Sequence, residues 1–176
     1  MPTAVDRIVR SRRQDENPGK AGVSYGVYMD SSRDNQSVSL CVPARLRYLG
    51  LICAFVESFC KSLDRETPAE IVEMLKLAID EACSNVVRHG YGGDCDSPLI
   101  VDALHAGDEL IFTIIDRARK FDLAKAPVKI DPTPSDSGYG ISIIHQAVDR
   151  LEHEWDGSRN ITRLTKRLPQ EEQKPG

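Results

Sequence analysis

Residues 36–43 alternate in character: Val38, Leu40 and Val42 are apolar, and the residues between them are small or polar. A period of two predicts a strand. Val27 and Met29 predict a short strand before it, with Asp30 to Asn35 as the turn. After Pro43 the period changes. Leu46, Leu49, Cys53, Val56, Cys60 and Leu63 recur at helical spacing, so Pro43 is expected to open a helix. Thr67-Pro68-Ala69-Glu70 predicts a second helix start, with Thr67 as cap, Pro68 in the first turn and Glu70 completing a capping box. Ile71, Leu75, Ala78, Ala82 and Val86 then form one apolar stripe, and Gly90, Gly92 and Gly93 end the helix.

The runs Leu99 to Leu104 and Leu110 to Ile115 predict two strands, and Ala106-Gly107-Asp108 predicts the hairpin turn between them. Residues 117–137 hold Pro127, Pro132 and Pro134 and show no period, which predicts a long loop or lid. Ser137-Gly138-Tyr139-Gly140 precedes another amphipathic pattern, with Ile141, Ile144, Val148 and Leu151 on one face. Asn160 to Leu168 predicts the last strand. Hairpins rather than repeated crossovers point to an α/β two-layer sandwich, with helices on one face of a mostly antiparallel mixed sheet. Residues 1–22 are polar and read as a flexible arm, 23–168 as one globular domain, and 169–176 as a polar tail.

A chain of 176 residues, 40% hydrophobic and 28% charged, fits a single domain with a sizeable core. The net charge of −4 argues against a general nucleic-acid binder. No apolar run is long enough to span a bilayer, and Met-Pro-Thr-Ala-Val-Asp-Arg lacks the apolar core of a secretory signal, so a cytoplasmic protein is expected. The five cysteines include no C-x-x-C pair and read as reduced thiols packed as small hydrophobes.

The segment Asp-Glu-Ala-Cys-Ser-Asn-Val-Val-Arg-His-Gly-Tyr, residues 80–91, carries the chemistry. Glu81 and Asn85 are four apart and share a helix face just off the apolar stripe. An amide oxygen can ligate Mg²⁺, and a carboxylate can orient or deprotonate a nucleophile; together they suit phosphoryl transfer. Asp116 ends an apolar strand, and Gly138 and Gly140 open a helix after the long loop.

This order and spacing resemble the GHKL ATPase superfamily with its Bergerat nucleotide-binding fold, and within it the small anti-sigma factor serine kinases. D-E-A-C-S-N-V-V-R-H-G-Y looks like that family's N box. G-Y-G-I-S-I-I-H-Q-A-V-D-R-L-E-H is similar to its second glycine box, and N-I-T-R-L-T-K-R-L resembles its closing strand. The resemblance covers roughly residues 36–168. It implies ATP and Mg²⁺ as cofactors, Asn85 as metal ligand and Glu81 as general base toward a serine hydroxyl. It implies a nucleotide site formed by Asn85, His89, Asp116, Ala118, Phe121, Gly138, Tyr139, Gly140, Ile141 and Thr162, with Asp116 accepting from the adenine amino group.

One position departs from the family pattern. The first glycine box, D-x-G-x-x-F-D, reads Asp116-Arg117-Ala118-Arg119-Lys120-Phe121-Asp122, so Ala118 stands where glycine is usual. If that residue needs a positive φ or close contact with adenine, alanine costs about 1 kcal/mol and nucleotide binding weakens. The reading implied by the resemblance is an ATP-dependent serine protein kinase that sequesters a sigma factor. It would phosphorylate an anti-anti-sigma protein in a partner-switching system. A homodimer is expected, with no direct contact to nucleic acid or membrane. The alternative is a non-catalytic module of the same fold that only sequesters a partner.

Overall fold

Among the described residues, three α-helices and six strands follow one another. The strands are β1 Gly26–Ser32, β2 Asn35–Pro43, β3 Pro98–Ala106, β4 Glu109–Asp116, β5 Arg150–Trp155 and β6 Asn160–Arg167; the helices are α1 Leu49–Lys61, α2 Ala69–Asn85 and α3 Tyr139–Ala147. This computed structural model describes residues 26–32, 35–120 and 139–169. The predicted arm, most of the predicted lid and the end of the tail lie outside the described residues. Among the described residues no helix is long and apolar enough to cross a membrane.

The strands form one sheet in the order β1-β2-β3-β4-β6-β5, with every neighbouring pair antiparallel. The predicted α/β sandwich is present. Period-two alternation sends Leu40, Val42, Val101, Phe112, Ile114 and Leu164 to the face that the helices cover. There they meet Ile52 and Val56 of α1, Leu75 and Ile79 of α2, and Ile144 of α3. Phe59 and Phe112 join the layers edge to face, with centroids 5.9 Å apart. The β3–β4 hairpin closes where the sequence places it, on Gly107 at φ +63°. Glycine reaches this left-handed conformation without steric cost.

Four local expectations are corrected. Pro43 does not open a helix; it ends β2, and the helical segment begins with a 3₁₀ turn at Leu46–Tyr48. Asp94 Oδ1 accepts the Leu46 N–H at 2.9 Å, so a residue distant in sequence satisfies the start. The Thr67–Glu70 capping box does not form: α2 starts at Ala69 with Pro68 in the cap position, and Thr67 Oγ1 is buried without a partner. The helix over Ile141 to Leu151 stops at Ala147, and Leu151 lies in β5, opposite Leu164. An apolar residue at 151 satisfies a strand as well as a helix, which is why the period misled. Finally, β1 runs on to Ser32, so the predicted turn from Asp30 is shorter.

Candidate functional site

β4 and β6 build the floor of a cavity under α2. Their register sets Asp116 opposite Asn160, and Ile114 opposite Thr162, all on the helix-covered face. Asp116 is 3% exposed. Its Oδ1 accepts from Asn160 Nδ2 at 2.9 Å and from the Ala118 N–H at 2.8 Å. Burial pushes this carboxyl above its ordinary range, and the bonds from Asn160 and Ala118 partly oppose the shift. Asn160 Nδ2 also lies 3.3 Å from the carbonyl oxygens of Ala118 and Arg119, so one amide holds both the acid and the chain after it.

Asn160 is itself placed by the β5–β6 turn. Asp156 Oδ1 accepts the N–H of Ser158 and of Arg159, and its Oδ2 pairs with the Arg159 guanidinium. Burial alone would raise the Asp156 carboxyl, but these donors prevail and hold it at about 2. Thr162 brings its hydroxyl within 3.2 Å of His153 Nδ1.

The wall opposite this floor comes from α2. Ala82 and Asn85 line the cavity with Asp116, Ala118, Asn160 and Thr162. Glu81 and Asn85, one turn apart and half-buried, bond directly: Asn85 Nδ2 donates to Glu81 Oε1 at 2.9 Å. An ionised carboxylate only accepts, so the contact fixes the amide nitrogen on Glu81 and directs Asn85 Oδ1 elsewhere. Gly140, in the first turn of α3, lies against the Glu81 carboxylate so closely that a Cβ there would collide with it. After Asn85 the helix widens to a π turn over Val86–Gly90, a distortion often found at functional sites. The Tyr91 hydroxyl then accepts the Arg117 N–H at 2.8 Å, tying this segment to the end of β4.

Ala118 carries no backbone strain. Among the described residues only glycines have positive φ. Its methyl, 5% exposed, instead faces Gly90, where a Cβ would lie 2.8 Å from the Ala118 Cβ. The expected cost of a left-handed alanine is therefore absent; the methyl occupies space beside the cavity that a hydrogen would leave open.

The structure brings Asn85, Asp116, Ala118 and Thr162 to one cavity, and it places Glu81 and Gly140 together beside Asn85. His89 is not brought in. Its side chain is exposed, and only its backbone takes part, accepting from Arg119 Nε at 3.1 Å. Ile141 packs against the main core. Phe121 and Gly138 lie outside the described residues, as does the Tyr139 side chain. Asn160 was missed by sequence reasoning. The available signal was its place at the head of the closing strand, paired with a strand-ending acid.

The sequence profile of the histidine kinase-like ATPase domain matches residues 42–166, most of the chain. The chain belongs to this family. Among curated relatives, the serine-protein kinase RsbW of Bacillus cereus strain G9842 is 23% identical over 145 residues, covering 78% of this chain and 88% of that protein. The protein of the same name from Bacillus mycoides strain KBAB4 gives the same identity and coverage. Among solved structures, the RsbU and RsbW domains of Rv1364c from Mycobacterium tuberculosis superpose with a TM-score of 0.54 at 19% identity. That match covers 75% of this chain and 32% of the mycobacterial one, and it supports a shared fold. The family is one of ATPases, and its matched span contains Glu81, Asn85, Asp116, Gly140 and Thr162.

Proposed function

We propose that this chain is an ATP-dependent serine protein kinase and anti-sigma factor, which holds a sigma factor and phosphorylates a serine of an anti-anti-sigma protein. The observation that carries the reading is the Asn85–Glu81 pair beside a cavity floored by the buried Asp116. The residues fit an adenine nucleotide. Both described hydrogen bonds to Asp116 end on Oδ1, which leaves Oδ2 as acceptor for an exocyclic amino group. Guanine presents an oxygen at that place, so the same acid selects adenine.

Bound ATP with Mg²⁺ would supply the transferable phosphoryl group. Asn85 would offer Oδ1 to the metal, which accepts few protein ligands and keeps waters. Glu81 would hold the substrate serine hydroxyl and take its proton. Gly140 leaves room for the carboxylate, and Thr162 lines the nucleotide cavity. A homodimer is part of the proposal.

The rival reading, a partner trap without catalysis, draws support from the Ala118 methyl beside the cavity. Calorimetric titration with ATP, with and without Mg²⁺, separates the two at the first step. The kinase reading requires saturable binding, weakened by Asn85→Ala more with Mg²⁺ than without it. No heat and no thermal shift at millimolar nucleotide would remove it.

A further inference from the structure

Among the described residues, two charged side chains line the cavity: Asp116 on its floor and Arg119 three residues further on. Two hydrogen bonds fix where Arg119 stands. Its carbonyl oxygen accepts from Asn160 Nδ2 at 3.3 Å, and the same amide holds Asp116 Oδ1 at 2.9 Å. The main chain at 119 is therefore set at the Asp116 end of the cavity. The side chain runs to the other rim. Its Nε donates at 3.1 Å to the carbonyl oxygen of His89, in the π turn that follows α2. The two rims are close there, since a Cβ at Gly90 would lie 2.8 Å from the Ala118 Cβ. Arg119 thus bridges the end of β4 and the end of α2 at the edge of the cavity.

Among the described residues no carboxylate pairs with Arg119, and the bond to His89 uses one of its N–H donors. A solvated arginine keeps its rotamer freedom. This one is tethered, which leaves a planar cation held at the cavity. An adenine ring whose amino group meets Asp116 by its edge still has two faces to be covered. Ala82 of α2 and Val86 of the π turn supply an aliphatic wall for one. Among the described residues no aromatic side chain lines the cavity to cover the other. A guanidinium can replace an aromatic ring in that role. It is flat, delocalised and weakly hydrated, and it stacks on ring faces. The contact between Glu81 and Gly140, at the phosphoryl end of the proposed site, lies outside this lining.

We propose that Arg119 grips the base of the nucleotide, its guanidinium stacked on the face of the adenine ring whose amino group Asp116 accepts from. The inference rests on the adenine-nucleotide reading of the cavity and adds a specificity residue to it. Asp116 reads the edge of the base, and Arg119 selects for a flat aromatic ring. The arginine acts on the base rather than on the phosphates.

The full chain, unaltered and carrying Arg119→Ala or Arg119→Lys, is titrated by calorimetry with adenosine and, separately, with ATP and Mg²⁺. Adenosine has the base and no phosphate. Arg119→Ala should weaken both ligands by the same factor, about 5- to 30-fold. Arg119→Lys should recover little of it, because an ammonium is compact and strongly hydrated. A loss confined to ATP and recovered by lysine is a phosphate contact and overturns the proposal. So does adenosine binding that is unchanged or tighter in Arg119→Ala. A second measure uses the unaltered chain alone. Adding adenosine should move the side-chain proton resonances of Arg119 upfield, as a ring face shields protons stacked on it. Resonances that stay in place with adenosine bound overturn the proposal even if the variants lose affinity. Uptake of ATP without adenosine overturns this inference alone; uptake of neither overturns the nucleotide reading with it.

Discussion

Asn160 donates its side-chain N–H to Asp116 Oδ1 across 2.9 Å, and with it fixes which oxygen of the buried acid remains for a ligand. An amide here neutralises none of the acid's charge. Its folded carboxyl pKa stays above the ordinary value because burial outweighs the hydrogen bonds.

Asp116→Asn separates binding from stability. An acid whose folded pKa is raised favours the fold while protonated, and that contribution is lost as pH rises through the folded value. The variant should therefore gain stability over the unaltered chain as pH rises from about 4 toward 7, read by urea unfolding at both ends. Its Nδ2 would meet the adenine amino group donor to donor. Losing a bond to a charged acceptor costs about 1.5–3 kcal/mol, so ATP affinity should fall about 10- to 100-fold. Affinity unchanged at neutral pH would show that Asp116 does not read the base.

Gly90 and Ala118 form a steric pair. Gly90→Ala would bring two Cβ atoms to 2.8 Å and force a shift. Overpacking of this kind costs about 1–3 kcal/mol. Ala118→Gly should cost about 1 kcal/mol through chain entropy and the lost methyl contact. The double variant should be more stable than the sum of the two losses, as contacting residues couple. Strict additivity in chemical denaturation would contradict the pairing, and a gain in stability from Ala118→Gly alone would reveal backbone strain at 118.

The hairpin, the closing strand and the Glu81–Asn85 helix face were legible in the sequence because each has a clear period or a local motif. The β5 strand was not. Leu151 continues the helical spacing of Ile144 and Val148, and only pairing with β6, a contact with no sequence signature, makes it a strand residue. The start of the helical segment before α1 was hidden for the same reason: Asp94 caps it from a distance of 48 residues. In the site, Asp116 was readable as a strand end, whereas Asn160 gains its meaning only from the β4–β6 register.

Gly140 tests the placement of Glu81. Gly140→Ala puts a Cβ into the Glu81 carboxylate. A displaced catalytic group of this kind loses about 10- to 100-fold in rate, so phosphoryl transfer should drop by that amount while ATP binding changes little. Unaltered transfer would mean that Glu81 works from a position away from α3.

Acid should loosen the turn that aims Asn160. The Asp156 carboxyl is depressed from 3.8 to about 2 by its bonds to Ser158 and Arg159, which outweigh its burial. Its stabilising contribution is present above the unfolded value and is lost as pH falls through the folded one. Asp156→Ala should therefore lower the melting temperature near neutrality, with the difference from the unaltered chain closing below about pH 3. A constant difference across that range would contradict the assignment.

Under the proposed function, Glu81 is the residue that makes this chain a kinase. The decisive measurement is transfer of labelled phosphate from ATP to the protein that the chain captures from its native host. Proton acceptance contributes about 10²- to 10⁴-fold to rate. Transfer to a serine is expected, reduced at least about a hundredfold by Glu81→Ala with ATP and partner binding retained. A chain that holds its partner and ATP yet transfers nothing, or a Glu81→Ala variant as fast as the unaltered chain, would contradict it.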